Sequence, residues 1–116
     1  MAAQLHWLIE VEAEQIVGAL GYDTSDGVAV IDRLVVDPGH HRRGTGRRLV
    51  MRFLTEGDGG GAIVSTGREN GPARWLYETA GFIHVADREV LPGLVVSDYA
   101  TASVTKNTPG IYGGGR

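Results

Sequence analysis

The order of three local patterns in the middle of the chain constrains its fold more than any other feature. Residues 28–36 form an apolar run interrupted by one polar pair, which predicts a central strand, and Pro38 ends it. Beyond residue 46 apolar side chains recur at helical spacing, and residues 62–66 form a second short apolar run. A strand, a helix and a strand in this order predict a crossover between two parallel neighbours.

An alternation of apolar and polar residues precedes this crossover. It predicts an antiparallel hairpin with strands at 5–11 and 15–22, joined by a short polar turn. A second turn is predicted at 23–27, where Asp, Thr, Ser and Gly cluster. We therefore expect three sequential strands to lead into the crossover.

A second helix is predicted after residue 69. Asn70 can cap its start, Pro72 is tolerated in its first turn, and Gly81 can adopt the left-handed conformation that closes a helix. The inward stripe of the second helix is predicted to consist of Ala73, Leu76, Tyr77 and Ala80. That of the first helix is predicted to consist of Leu49, Val50, Phe53 and Leu54.

Two more strands are predicted after this helix, at 82–86 and about 94–99, separated by a polar stretch with a proline at 87–93. The element order predicts an α/β (α+β) fold, a mixed and mostly antiparallel sheet with helices packed on it. Residues 1–100 are expected to form one domain. Residues 101–116, which show little structural pattern and end in a glycine cluster, are expected to form a flexible tail.

The composition is that of an ordinary soluble domain, with 42% hydrophobic and 22% charged residues in a chain of 116. No apolar run approaches the ~20 residues of a membrane helix and no export signal opens the chain, so a cytoplasmic location without a membrane partner is predicted. The absence of cysteine excludes disulfides, thiolate nucleophiles and thiolate zinc sites. His40 and His41 are adjacent, and because no further ligand is spaced to join them, no metal is expected.

Positive charge is concentrated in residues 40–48, which contain four arginines and no acidic residue, although the net charge of the chain is -3. An acidic protein repels an extended nucleic-acid backbone at long range, so this segment suits a small polyanion better. Binding of DNA or RNA through these arginines is the weaker interpretation, and no nucleic-acid partner is expected.

The turn between the central strand and the first helix has the chemistry of an anion site. Gly44 and Gly46 let the backbone turn tightly and approach a ligand, while the free amides at the helix start favour an anion such as a pyrophosphate. Arg42, Arg43 and Arg47 can add charged hydrogen bonds to phosphate oxygens. A solvated arginine run beside an ordinary glycine turn fits this short pattern at least as well.

The second helix carries Asn70 and Tyr77, which lie seven residues, and therefore about two turns, apart on one face. Both side chains could line one groove. Taken singly, Asn70 is also a plain helix cap, and Tyr77 is also a plain core residue.

Together the two motifs resemble those of the GNAT superfamily of acyl-CoA-dependent N-acetyltransferases, over about residues 4–99. The first motif is a strand ending in V-x-P, at Val36 and Pro38, followed by the glycine turn. The second, more specific motif is N-x-x-A-x-x-L-Y-x-x-x-G-F, which is met by Asn70, Ala73, Leu76, Tyr77, Gly81 and Phe82.

The resemblance implies a splayed pair of parallel strands that holds acetyl-CoA as cosubstrate. The cofactor-binding residues that it implies are Leu34, Val35, Val36, His41, Arg42, Arg43, Gly44, Thr45, Gly46, Arg47, Asn70 and Tyr77. An acceptor amine would attack the thioester directly, and the amide of Val36 could polarise the carbonyl oxygen. Tyr77 would then protonate the departing thiolate as general acid. His41 stands where the family usually has glutamine or arginine.

The resemblance does not fix the general base. Many family members carry a glutamate at the position of Ser65, and serine cannot act as a base unaided. Asp32 is the first catalytic candidate and Glu69 the second, although Asp32 can equally well form an ion pair with a neighbouring arginine. A base acting through water, or the fraction of amine that is already free, would also satisfy the chemistry.

The resemblance also implies a strand and one or two helices before the first hairpin, and these form much of the acceptor-binding wall. Because the sequence starts at the hairpin, we expect an acceptor side that is open, completed by a second subunit in a homodimer, or absent. A catalytically idle CoA-binding module or sensor is therefore the hypothesis that competes with an enzyme acting on an amine-bearing acceptor.

Overall fold

The computed structural model describes residues 5–40, 43–56 and 60–107. The elements in chain order are β1 (His6–Glu12), β2 (Gln15–Ser25), β3 (Val28–Val36), a 3₁₀ turn (Pro38–His40), α1 (Thr45–Glu56), β4 (Ala62–Gly67), α2 (Gly71–Thr79), β5 (Ile83–Leu91), β6 (Leu94–Ala100) and α3 (Ala102–Asn107). The strands form one six-stranded sheet in the order β1-β2-β3-β4-β6-β5.

Within the described sheet, β3 and β4 are the one parallel pair of neighbours. They pair at two positions, Ala29 with Ala62 and Val30 with Ile63, whereas β3 stays paired with β2 as far as Val36. Beyond these two positions β3 and β4 separate and leave a gap between them. The predicted mixed sheet with a splayed parallel pair is confirmed.

One hydrophobic core joins the two longer helices to the sheet. It contains side chains from α1, from α2 and from strands on both sides of the gap: Leu20, Ile31, Leu49, Val50, Phe53, Val64, Tyr77, Phe82 and Tyr99. Leu54, Ala73, Leu76 and Ala80 pack against this core, which confirms the predicted helix stripes. Because α1 and α2 share one core and contact each other, they cover the same face of the sheet.

The other face of β1, β2 and β3 carries apolar side chains that remain exposed. Ile9 lies opposite Ala19, and Ala19 lies opposite Val35, so these side chains form a row across the sheet. Trp7, Ile9 and Val35 are 49%, 41% and 56% exposed, and Trp7 packs directly over Gly21. A homodimer that covers this surface remains a prediction.

The turn predicted at 23–27 is shorter in the structure. β2 continues to Ser25, and Asp26 and Gly27 alone make the turn, with φ angles of 54° and 82°. Positive φ at both central residues is what a two-residue hairpin turn requires, and an Asp-Gly pair satisfies it. The prediction of a five-residue turn is therefore wrong.

The connection predicted at 87–93 is also mostly strand. β5 runs to Leu91, because its polar side chains find partners across the hairpin instead of facing only water. Asp87, for example, accepts a hydrogen bond from the Ser97 hydroxyl at 2.6 Å. The prediction that this strand ends at residue 86 is wrong.

Residues 102–107 form α3, so the prediction of little structure beyond residue 101 is wrong for this segment. Val104 is only 2% exposed and packs against the backbone of Gly61. The glycine-rich segment 108–116 lies outside the described residues. Among the elements described here, no helix has the length and apolar character needed to cross a bilayer.

Candidate functional site

The start of α1 presents backbone amides as hydrogen-bond donors at the end of the glycine turn. Gly44, with a φ of 79°, turns the chain directly into the helix, a conformation that side chains disfavour. The amides of Thr45, Gly46 and Arg47 have no backbone acceptor among the described residues, as expected for the first turn of a helix. These amides and the positive end of the helix dipole give the turn the chemistry of an anion site.

Gly46 lies where three elements meet. A Cβ at this position would lie 3.6 Å from Leu76 Cδ2 of α2, 3.7 Å from Val36 Cγ2 and 3.8 Å from Leu34 Cδ2 of β3. Leu34 packs against the core, whereas Val35 points to the exposed face. The structure thus brings together the strand end, the glycine turn and the second helix, the parts that carry the two sequence motifs.

The basic segment meets acidic residues that its local sequence did not reveal. Arg48 donates hydrogen bonds to the carboxylate of Glu10 and to the carbonyl oxygen of Arg43, so it ties α1 to β1. The Arg43 guanidinium is exposed and lies 3.7 Å from the Glu12 carboxylate. The arginines are therefore not an unopposed basic patch, which further weakens the nucleic-acid interpretation.

Arg47 connects the two helices that frame the site. Its Nη1 donates a hydrogen bond to Thr79 Oγ1 at 3.2 Å, and its side chain is exposed. Of the arginines predicted to contact phosphate, Arg47 lies in the first turn of α1 itself. His41 and Arg42 lie outside the described residues, so their predicted roles are untested.

His40 anchors the chain just before the glycine turn. Its Nε2 lies 2.5 Å from Glu12 Oε1, and its Nδ1 lies 3.1 Å from Asp37 Oδ2. The hydrogen bonds to Asp37 and then to Glu12 raise the pKa of His40, because both favour the charged imidazolium. When protonated, the ring can donate to both carboxylates and so links the end of β1 to the segment that follows β3.

His40→Gln is expected to lower the melting temperature more at pH 6 than at pH 9. A group whose pKa is raised in the folded state contributes its full stabilisation below its unfolded pKa of about 6.5, and loses it as the pH rises through the folded value. Thermal denaturation of both proteins across this range measures the difference. His6→Gln is the control, since His6 has no acidic partner among the described residues. An equal decrease in melting temperature at pH 6 and at pH 9 would contradict the raised pKa of His40.

Asn70 caps α2, as predicted. Its Oδ1 accepts a hydrogen bond from the amide of Ala73 at 3.2 Å, and Pro72 occupies the first turn. The cap uses only the carbonyl oxygen of the side chain. The Nδ2 group has no hydrogen-bond partner in the described part of the chain, so it remains available to a ligand.

The C-terminal end of α2 fixes the position of Tyr77. Gly81, with a φ of 110°, donates to the carbonyl oxygen of Glu78 at 3.2 Å, and Phe82 donates to that of Tyr77 at 2.9 Å. This is the Schellman arrangement, whose usual apolar contact is made by the Tyr77 and Phe82 rings, with centroids 5.7 Å apart. The Gly81-Phe82 pair of the sequence motif therefore closes α2 and holds the Tyr77 ring in place.

Tyr77 is both a core residue and a candidate acid. It is 6% exposed, and burial raises the pKa of its hydroxyl. Within the described ranges the hydroxyl has no hydrogen-bond partner. A protonated hydroxyl without a protein partner is suited to donate its hydrogen to a ligand atom.

Asp32 lies in a β-bulge of β3. Tyr22 pairs with Ile31 and Gly21 pairs with Arg33, which leaves Asp32 without an opposite residue on β2. Its carboxylate accepts a hydrogen bond from Arg33 Nε at 2.9 Å, and both side chains are exposed. The ion pair expected as the alternative is thus present, while the role of Asp32 as a base remains a prediction.

Glu69 directly precedes the cap of α2. Its side chain is 94% exposed and lies 3.8 Å from the Arg68 guanidinium. This geometry is that of a solvated ion pair, so Glu69 has no contact that would orient it toward the gap.

Sequence reasoning missed a buried carboxylate behind Ser65. The Ser65 hydroxyl donates to Asp98 Oδ1 at 2.5 Å, and Arg88 donates to both oxygens of Asp98, at 2.5 and 2.8 Å. Burial acts to raise the pKa of Asp98, but the hydrogen bonds from Arg88 and Ser65 outweigh it and hold the pKa below its usual value. If β5 and β6 are aligned as a hairpin around the Pro92-Gly93 turn, Arg88 and Asp98 lie close together on neighbouring strands, so this alignment could have predicted their ion pair.

A cavity of about 440 Å³ lies away from these residues, at the opposite end of β3. Ala29, Phe53 and Gly61 are among the residues that line it. It therefore contributes nothing to the site at the start of α1. Across residues 5–40, 43–56 and 60–107, no three His, Asp or Glu side chains are grouped so that they could hold a metal ion.

Comparison with known proteins identifies the family. The model of the acetyltransferase (GNAT) domain matches residues 2–84, which is more than half of the chain. The chain belongs to the GNAT acetyltransferase family. The matched range of this GNAT domain includes β3, the glycine turn, α1 and α2, and so contains both motifs described above.

One curated protein and many solved structures resemble this GNAT domain. The UPF0157 protein YqkA of Bacillus subtilis (strain 168) is 32% identical over 84 residues, which cover 72% of this chain. The chain spans only 24% of the length of that relative.

Three solved acetyltransferases illustrate the structural likeness. The ribosomal-protein-S18-alanine N-acetyltransferase of Escherichia coli is 17% identical, with a TM-score of 0.74 over 87% of this chain and 70% of its own. A GNAT-family acetyltransferase of Bacillus cereus ATCC 10987 is 26% identical, with a TM-score of 0.74 over 82% of this chain and 68% of its own. A putative streptothricin acetyltransferase of Bacillus anthracis str. Ames, in complex with acetyl coenzyme A, is 22% identical. Its TM-score is 0.75 over 86% of this chain and 63% of its own.

Proposed function

We propose that this protein is an N-acetyltransferase that moves an acetyl group from acetyl-CoA to a primary amine in a ternary complex. The observation that carries the proposal is the meeting of the β3 end, the α1 start and α2 at Gly46, together with the buried Tyr77 on α2, whose hydroxyl has no hydrogen-bond partner among the described residues. Family membership supports it, as does the structural likeness to a relative in complex with acetyl coenzyme A.

The residues at the start of α1 fit the diphosphate of coenzyme A. The amides of Thr45, Gly46 and Arg47 have no backbone acceptor among the described residues, so they can donate to phosphate oxygens. The Arg47 guanidinium adds a positive charge. The pantetheine arm would lie in the gap along residues 34–36, next to Asn70. Backbone groups and the helix start would then do most of the binding.

The proposed reaction needs no covalent enzyme intermediate. Acetyl-CoA supplies an activated thioester; the amine nitrogen forms a C–N bond to its carbonyl carbon, the C–S bond breaks, and the thiolate receives the hydroxyl proton of Tyr77. Because burial raises the pKa of Tyr77, this hydroxyl is protonated at neutral pH and can serve as the acid.

Asp32 is proposed to take the proton that the amine loses. If the register of Val30 with Ile63 is continued, Asp32 lies opposite Ser65, at the point where β3 and β4 separate. The bulge keeps Asp32 clear of the ladder with β2, and its carboxylate is exposed. Glu69 is less well supported, because it is solvated and lies outside the gap.

Release of free coenzyme A tests the proposal. The purified protein is incubated with acetyl-CoA and with spermidine, Nα-acetyl-lysine or a short alanyl peptide, and free thiol is measured with a chromogenic disulfide. We expect thiol release that depends on at least one of these amines, and a higher melting temperature in the presence of acetyl-CoA. Stabilisation by acetyl-CoA without release would contradict catalysis and support a CoA-binding module, and the absence of both would contradict both hypotheses.

A further inference from the structure

Ser65 is an exposed residue of β4 beside the gap, and its hydroxyl is hydrogen-bonded to a buried carboxylate. Ser65 lies on β4, two residues beyond Ile63, the last residue of β4 that pairs with β3. Its hydroxyl donates to Asp98 Oδ1 at 2.5 Å. Asp98 is 0% exposed, so the hydroxyl is the part of this pair that a ligand in the gap can reach.

Arg88 keeps the Asp98 carboxylate ionised. Its Nε and Nη2 donate to the two carboxylate oxygens in a bidentate arrangement. An ionised carboxylate can only accept hydrogen bonds, so the single hydrogen of the Ser65 hydroxyl points to Asp98. The direction of this hydrogen bond is therefore fixed by charge and does not depend on the ligand.

This orientation determines what Ser65 can bind on its exposed side. A hydroxyl has one hydrogen to donate and two lone pairs that accept. Because Asp98 takes the hydrogen, Ser65 presents only lone pairs to the gap. It can accept a hydrogen bond from an N–H group, and it cannot donate one to a carbonyl or carboxylate oxygen.

We propose that Ser65, oriented by Asp98, positions the acceptor by accepting a hydrogen bond from the N–H of its primary amine. This inference rests on the proposed acetyltransferase function. Asp98 acts here as a positioning residue and takes no proton, because its bidentate contact with Arg88 stabilises the charged form. Asp32, across the gap, remains the proposed base, so binding of the amine and its deprotonation are assigned to different side chains.

Ser65→Ala separates this role from a structural one. It removes one hydroxyl, and we expect the KM for the amine to rise about tenfold, the effect of one hydrogen bond to a charged group, with kcat changed by less than about threefold. The dissociation constant for acetyl-CoA should stay at the wild-type value, whereas the melting temperature should fall in Ser65→Ala because the buried Asp98 carboxylate loses one hydrogen bond. The same three amines serve as probes, and the pH profile of kcat/KM should keep its shape because no titrating group is lost. Ser65→Thr, which retains the hydroxyl, is the conservative control and should behave as wild type.

Asp98→Asn tests whether Asp98 orients the hydroxyl. An asparagine at 98 can donate its amide hydrogen to Ser65, which would turn the hydroxyl round; the KM for the amine should then rise as in Ser65→Ala although Ser65 is present. The double variant should show no further rise, since both changes remove the same contact. Calorimetric titration with acetyl-CoA shows whether each variant is folded and competent.

An unchanged KM in Ser65→Ala would overturn the inference and leave the proposed function intact, because thiol release would persist. A raised KM in Ser65→Ala with an unchanged KM in folded Asp98→Asn would overturn the role of Asp98. If the wild type binds acetyl-CoA but acetylates none of the amines, the proposed function fails, and the inference about Ser65 fails with it.

Discussion

Tyr77→Phe is expected to lower kcat for acetyl transfer by about 10²-fold or more at neutral pH, while the affinity for acetyl-CoA changes little. The substitution removes one hydroxyl and leaves the ring in place. The edge-to-face contact with Phe82 and the Schellman arrangement at the end of α2 do not involve the hydroxyl, so the fold is retained. What is lost is the proton that would convert the departing thiolate into a thiol.

The pH dependence follows from the same group. Burial raises the pKa of Tyr77 above the ordinary tyrosine value of about 10, so the acid remains protonated throughout the neutral and mildly alkaline range. The activity of the wild type should therefore not decline through loss of this proton below about pH 10. The variant should lack the decline that the wild type shows above that pH.

Steady-state thiol release with a saturating amine measures the effect on kcat, and calorimetry measures the affinity for acetyl-CoA. Tyr22→Phe is the matched control, because Tyr22 packs against Phe53 near the opposite end of the core. Full activity in Tyr77→Phe would remove Tyr77 from the mechanism. Loss of acetyl-CoA binding together with activity would show that its role is in binding.

Gly18→Val is expected to lower the free energy of unfolding by about 1–3 kcal/mol and to weaken acetyl-CoA binding. Gly18 pairs with Val36 at the end of β3 and lies directly beneath the start of α1. A Cβ there would lie 2.7 Å from Thr45 Cγ2 and 3.0 Å from Leu49 Cδ1. Both of these side chains are 1% exposed, so neither can move aside without displacing the helix.

The link between this clash and ligand binding is the position of α1. If its first turn moves away from β3, the amides of Thr45 and Gly46 no longer converge on the same diphosphate, and the affinity should fall about tenfold or more. Urea denaturation measures the stability, and calorimetry with acetyl-CoA measures the affinity. Ser25→Val is the control, because Ser25 is exposed on the same strand at the end away from the start of α1. Wild-type affinity in Gly18→Val would contradict this account of the site.

The crossover and the second helix could be predicted because their signals are local. The apolar run before Pro38, the glycines at 44 and 46 and the stripe containing Leu76 each describe a single element. The position of Tyr77 was likewise encoded nearby, in the Gly81-Phe82 pair that ends its helix. These are the parts of the site that the structure brings together as expected.

The partners of the charged residues could not be predicted in this way. Arg48 meets Glu10 across 38 positions of sequence, and no local pattern marks such a pair. Asp98 was missed for a different reason: the polar residues after 86 were interpreted as a loop, whereas Arg88 is part of a strand whose side chain pairs with Asp98 across the hairpin. Polar residues that have cross-strand partners cannot be told from solvated ones until the register is known.

Isothermal titration of the folded protein with coenzyme A, and in parallel with pantetheine, tests whether the first turn of α1 binds the diphosphate, since pantetheine shares the thiol arm but lacks the diphosphate and the 3′-phosphoadenosine attached to it. We expect saturable, stoichiometric binding of coenzyme A and an affinity for pantetheine that is weaker by about 10²-fold or more, because the diphosphate is the group that the first turn of α1 is proposed to bind. Absence of binding by coenzyme A, or equal affinities for the two ligands, would contradict this proposal.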